Sequence, residues 1–180
     1  MLIYLRYAIN HSVGVTLVMR QKPNVFFFIF ISLAFLPNGS HASDGTKLVE
    51  VVAIESTFED VKERVIFAVE SQGLVVDHTS DVGGMLARTG KDLGESQIIY
   101  GNAVVLEFCS ALYSRRMAKF SPDLLAFCPY AISVYTLHGQ PGTTFVAFKR
   151  IARGVSNHET REVLKQIDDL LMTIVEEAAL

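Results

Sequence analysis

Apolar residues recur along this chain with two periods, and the switches between them mark out its elements. Lys47–Glu55 (KLVEVVAIE) is rich in β-branched residues and predicts a strand. Over Phe58–Gln72 the period becomes helical: Val61, Val65, Ala68 and Val69 form a stripe, with Glu63, Arg64 and Glu70 mostly outside it. Ser56-Thr57-Phe58-Glu59 opens that helix as a capping box, and Gly73 takes the position just past its end. Leu74–His78 predicts a second strand. Gly83-Gly84 then breaks the chain before a short helix over Met85–Leu93, closed by Gly94. Gln97–Phe108 predicts a third strand, bent at Gly101, and Ser110–Phe120 a helix. Ser121-Pro122 starts a further turn with an N-cap and a proline at the first helical position. Ala131–Leu137 and Thr143–Lys149 predict a hairpin joined by His138-Gly139-Gln140-Pro141-Gly142. A second capping box, Ser156-Asn157-His158-Glu159, opens a last helix over Glu159–Glu177. Its stripe is Val163, Ile167, Leu170, Leu171, Ile174 and Val175.

The order β-α-β-(α)-β-α-β-β-α predicts an α+β fold. The economical form is a two-layer sandwich, with an antiparallel or mixed sheet and helices packed on one face. Ahead of it, Val25–Leu36 (VFFFIFISLAFL) is apolar except for Ser32. Arg20 and Lys22 precede this run, and Ser40 and Ala42 follow it. That pattern predicts a signal peptide over 1–42, cleaved after Ala42. A bilayer span needs about 20 apolar residues, so no stable membrane insertion is expected after cleavage. The first 18 residues are long and apolar for a basic n-region, and Met19-Arg20-Gln21-Lys22 is the more usual start. Residues 43–180 suit one domain, exported to a periplasm or the outside. That part carries thirteen basic and nineteen acidic residues, a net charge of −6, which argues against nucleic acid as a partner.

From about Val51 to Arg150 the chain resembles the domain-of-unknown-function 302 family. The resemblance rests on Phe58-Glu59 opening the first helix, Gln72-Gly73 closing it, and the strand ending Glu107-Phe108-Cys109. It continues through the Ala/Met helix to Pro129 before the strand Ile132–Tyr135. The resemblance implies a compact two-layer α+β domain of the kind compared with the TATA-box-binding-protein topology, often dimeric, and implies no established reaction. Family members commonly read Pro-Cys before the penultimate strand. This chain reads Cys128-Pro129-Tyr130, so no role of the family's cysteine transfers to Cys128.

Few residues form a constellation that could carry chemistry. Cys109, Cys128, His78, His138 and His158 lack metal-ligand spacing, and no metal or cofactor is expected. Cys109 stands at a helix start, where a thiol pKa can fall, yet most such cysteines are inert buried groups. Arg115 and Arg116, with Lys119, form the densest basic cluster. They are candidates for an anionic ligand, although a solvated helix face is the simpler reading. Aromatic residues crowd the second half of the chain. Tyr130 and Tyr135 among them are candidates for lining a groove between helix and sheet, against the simpler reading as core.

The reading that best fits is a non-catalytic module binding a small molecule or its own copy, a homodimer. The alternative is a thiol-dependent redox protein using Cys109. Compartment favours a Cys109–Cys128 disulfide. The intervening helix, taken as a crossover running about 1.5 Å per residue to the far end of the sheet, argues for two separate thiols.

Overall fold

The computed structural model describes residues 48–180, which fall within one compact unit. The signal peptide, its cleavage site and the upstream start lie outside the described residues. Within them, no helix is long and apolar enough to cross a membrane.

Five strands form one sheet in the order β1-β5-β4-β3-β2, every neighbouring pair antiparallel. They are β1 (Val49–Ile54), β2 (Val76–Asp81), β3 (Tyr100–Phe108), β4 (Tyr130–Leu137) and β5 (Thr144–Lys149). The helices are α1 (Phe58–Ser71), α2 (Val82–Thr89), α3 (Ala111–Phe120) and α4 (His158–Ala178), with a 3₁₀ helix at Pro122–Phe127. The fold is therefore α+β with an antiparallel sheet.

Alternation along the strands builds the core. Even-numbered residues point to one face: Val52 pairs with Val146, Val146 with Val134, and Val134 with Val104. Phe148, Ile132, Leu106, Phe108 and Tyr130 extend this face. Against it lie the α1 stripe of Val61, Val65, Ala68 and Val69 and, from α4, Leu164, Ile167, Leu171, Ile174 and Val175. Met117 closes the core from α3. Burial of each large aliphatic side chain here contributes about 1.5–3 kcal/mol.

Several expectations are corrected. The stripe of α4 begins at Leu164, not Val163, and Leu170 is only half-buried. Asp168 occupies the apolar stripe instead. Its Oδ1 accepts from Ile151 N–H at 2.7 Å and its Oδ2 from Ala152 N–H at 3.2 Å, which ties the β5–α4 connection onto the helix. Burial pushes the Asp168 carboxyl above its usual value, opposed by the two backbone donors and by Arg150. The α4 cap is Asn157, whose Oδ1 accepts from Thr160 N–H at 2.9 Å, one residue later than the expected capping box.

The second strand runs to Asp81, beyond His78. As an edge strand it pairs on one side only, so polar Thr79, Ser80 and Asp81 are tolerated while their backbones bond to β3, and Asp81 Oδ1 accepts from Gly84 N–H at 2.8 Å to cap α2. Gly83 and Gly84 then lie inside α2, not before it. A Cβ on Gly83 would sit 2.7 Å from Ala103 N, so glycine lets the helix start against β3.

The largest correction is at the cysteines. Cys109 and Cys128 form a disulfide, with Cα atoms 6.2 Å apart. The expected crossover does not occur because β3 and β4 are antiparallel neighbours, with Phe108 paired to Tyr130. The chain leaves and re-enters the sheet at the same end. Helix α3 and the 3₁₀ helix form an excursion that returns to its origin, and the disulfide closes the neck.

Candidate functional site

The odd-numbered side chains of the strands point to the sheet's other face, which α1 and α4 do not cover. An antiparallel sheet with one wet face ordinarily presents polar residues there. This face instead carries Val49, Val51 and Ala53 from β1, Phe145 and Ala147 from β5, Ala131, Tyr135 and Leu137 from β4, and Ala103 and Val105 from β3. Val49 and Val51 are 44% and 43% exposed, in contrast to the fully buried valines opposite.

A shallow groove of about 230 Å³ runs over this face, lined by Val51, Val82, Tyr100, Ala103, Ser133 and Tyr135 among others. Tyr100 and Tyr135 of the groove belong to an aromatic line across three strands. Tyr100 meets Tyr135 edge-on with ring centres 5.5 Å apart, and Tyr135 stacks on Phe145 at 5.2 Å. Burial pushes the Tyr135 hydroxyl above the ordinary phenol value, and Tyr100 adds to the rise. At one end of the face Glu107 pairs with Ala131. Lys149 stands on the other side of Ala131, one step beyond the Ile132–Phe148 pair.

The four residues singled out as ligand candidates do not converge. Tyr135 belongs to this uncovered face, whereas Tyr130, five residues earlier on the same strand, points to the core and is 3% exposed. Strand parity separates them. Arg115 and Arg116 are exposed on α3. Arg116 donates to Gln166 of α4 at 2.7 Å and lies over the Tyr113 ring, which makes it a helix–helix clamp. Among the described residues, no three of His, Cys, Asp and Glu are grouped so as to hold a metal ion.

The end of the sheet at the disulfide holds a second polar cluster. The Ser114 hydroxyl lies 3.7 Å from Cys128 Sγ. Tyr130 reaches under α3 with its ring edge-on to Phe108. Its hydroxyl is buried and makes no hydrogen bond of good geometry among the described residues. Burial raises its pKa. The adjacent Ser114 side chain opposes that rise, and Tyr113 adds to it. Cys109 is therefore not a free thiol but one half of this bridge. The alternation of β4 and the antiparallel return were the available signals for both findings.

No curated protein matches the chain. It is similar to a solved structure, the crystal structure of an uncharacterized conserved protein DUF302 from Bacillus stearothermophilus. The identity is 18%, covering 74% of this chain and 99% of that one, with a TM-score of 0.62. At that identity the likeness establishes the fold. A family model, domain of unknown function DUF302, matches residues 50–178 and so extends the similarity through α4. The chain belongs to the DUF302 family.

Proposed function

We propose that this protein is an exported, non-catalytic binding module that works by pairing with a second copy through the uncovered face of its sheet. The observation that carries the reading is the apolar character of that face, with Val49, Val51, Phe145 and Tyr135 half-buried or exposed where polar residues are the rule. The groove is smaller than the roughly 300–1,000 Å³ of ordinary small-molecule pockets, which favours a flat partner over an enclosed ligand. The face is also complementary to itself. A two-fold axis lying along β4, between two stacked sheets, sets β5 of one copy over β3 of the other. Lys149 then meets Glu107 twice, and the aromatic line forms the centre.

The acidic charge of residues 43–180 fits a protein partner and not nucleic acid. The short apolar run at Val25–Leu36 supports export. Mass spectrometry of the exported protein tests the latter, with a chain beginning at Ser43 expected. Sedimentation equilibrium tests the pairing. A dimer is expected for the wild type and a folded monomer for Val51→Lys. A wild type that stays monomeric at high concentration, or a Val51→Lys variant that still dimerises, overturns the reading. Co-purification of a small apolar molecule with a monomer would instead make the groove a ligand site.

A further inference from the structure

Among the described residues, the structure leaves two hydroxyls, the buried one of Tyr130 and the half-buried one of Ser114, in an arrangement that the folded disulfide does not use. Ser114 points its hydroxyl at Cys128 Sγ, and the Tyr130 hydroxyl lies beside Ser114 with no good hydrogen bond of its own. A disulfide sulfur is a weak acceptor, so this chain of donors has no anion to serve. A buried unpaired hydroxyl costs about 1–3 kcal/mol, and a fold tolerates it more readily where another state satisfies it.

That other state is a thiolate at Cys128. Tyr130 O–H would donate to Ser114 Oγ, and Ser114 O–H to the sulfur, as a charge-assisted hydrogen bond. We propose that the Cys109–Cys128 disulfide is a redox-active site, reduced by an external dithiol that attacks Cys109, with Cys128 leaving as a thiolate held by Ser114 and Tyr130. Both cysteines are half-buried, so neither is sealed from an attacking thiolate.

The step balances as a thiol–disulfide exchange. A thiolate of the dithiol forms a bond to Cys109 Sγ as the Cys109–Cys128 bond breaks, and the electron pair leaves on Cys128. The second thiol of the reagent, once deprotonated, attacks its own sulfur in the mixed disulfide and releases Cys109 as a thiolate. The dithiol is oxidised to a disulfide, and its two protons end on the protein's thiols or in solvent. The preference for Cys128 as leaving group follows because a lower-pKa thiol leaves faster, and the Ser114 hydroxyl lies against Cys128. The ionisable groups of this cluster are Tyr130 on β4, Tyr113 of α3, which acts on Tyr130, and Arg116, which lies over the Tyr113 ring.

Dithiothreitol is the probe. The native protein is expected to be reduced without unfolding, as read by thiol labelling alongside circular dichroism. One thiol of the reduced protein is expected to titrate below the ordinary value of about 8.5, followed by thiolate absorbance. Ser114→Ala should raise that pKa by about one unit and slow reduction about threefold, and Tyr130→Phe should move both in the same direction by less. Cys128→Ser should accumulate a mixed disulfide at Cys109 when offered an oxidised thiol reagent. A bridge reduced only on global unfolding is a purely structural disulfide and overturns the proposal. So does a thiol pKa indifferent to Ser114→Ala, or a thiolate assigned to Cys109. None of these readings depends on dimer formation.

Discussion

Phe148 and Phe145 stand three residues apart on one strand, and their fates differ entirely. Phe148 is sealed beneath α4 with Ile132 and Leu106, while Phe145 lies half-open on the other face, stacked on Tyr135. The same strands thus present two apolar faces, of which α1 and α4 seal one, while α2 rests only on the β3 side of the other. Core-facing positions such as Val134, Val146 and Phe148 are explained by folding alone. Odd-numbered positions of β1, β4 and β5 are mostly apolar, yet Val49, Val51, Tyr135 and Phe145 among them stay exposed or half-buried. A sheet that needed only to fold could have carried threonine or lysine at Val49 and Val51 at no cost to the core. Function is therefore sought where burial and composition disagree.

The comparison breaks most sharply if the covered face proves dispensable. Phe148→Ala is expected to cost about 3–5 kcal/mol and Leu171→Ala about 2–5 kcal/mol, since both side chains are buried among packed neighbours. Chemical denaturation measures both. Losses under 1 kcal/mol would mean that the helix layer does not hold the core together. Next in size comes the neck of the α3 excursion. Replacing both cysteines by alanine reopens a loop with sequence separation 19 and should cost about 3 kcal/mol by chain entropy. A variant as stable as the wild type would place the loop's order in α3 packing alone.

Much of this architecture was readable from periodicity. The stripe of α1 appears as written, at Val61, Val65, Ala68 and Val69, because nothing polar interrupts it. The α4 stripe drifted because apolar residues occupy both Val163 and Leu164, and only the packing direction decides between them. Asp168 is charged, so an apolar stripe does not include it. Its partners, the Ile151 and Ala152 amides, lie in a connection that no period describes. At the candidate site the alternation of β4 separates Tyr130 from Tyr135, which aromatic composition alone does not. The disulfide depends on strand direction, which residue pattern does not carry. A helix between two strands reads as a crossover only if they run parallel, whereas antiparallel neighbours require the chain to come back.

Asp168 offers the third test, because it belongs to the covered face yet carries charge. Asp168→Asn turns one acceptor oxygen into a donor amide, which leaves Ile151 or Ala152 N–H without its partner. The expected cost at neutral pH is about 1–3 kcal/mol. The pH dependence has a definite sign. The folded carboxyl titrates above its unfolded value, so the native state holds the extra proton. Its contribution to stability is fully present below the unfolded value of 3.8 and declines as pH rises through the folded one. Asp168→Asn should remove that decline. A wild-type stability rising with pH across the same window, with the rise lost in Asp168→Asn, would show that the two amides outweigh burial.

The smallest expected effect separates the two faces most cleanly. Phe145→Ala removes a half-buried ring that stacks on Tyr135 at an interplanar angle of 17°. An aromatic pair of this kind contributes about 0.5–1.5 kcal/mol beyond area burial, and a half-exposed ring leaves little cavity behind. The monomer should therefore lose about 1 kcal/mol, well below the loss for Phe148→Ala. If two copies meet through this face, the apparent loss must grow with protein concentration, because a dimer adds a stability that rises with concentration. Urea unfolding at two concentrations, about a hundredfold apart, measures both parts. A small loss that grows with concentration assigns the odd-numbered face to association. A loss as large as that of Phe148→Ala and independent of concentration would make Phe145 a core residue, and the contrast between the faces would fail at its centre.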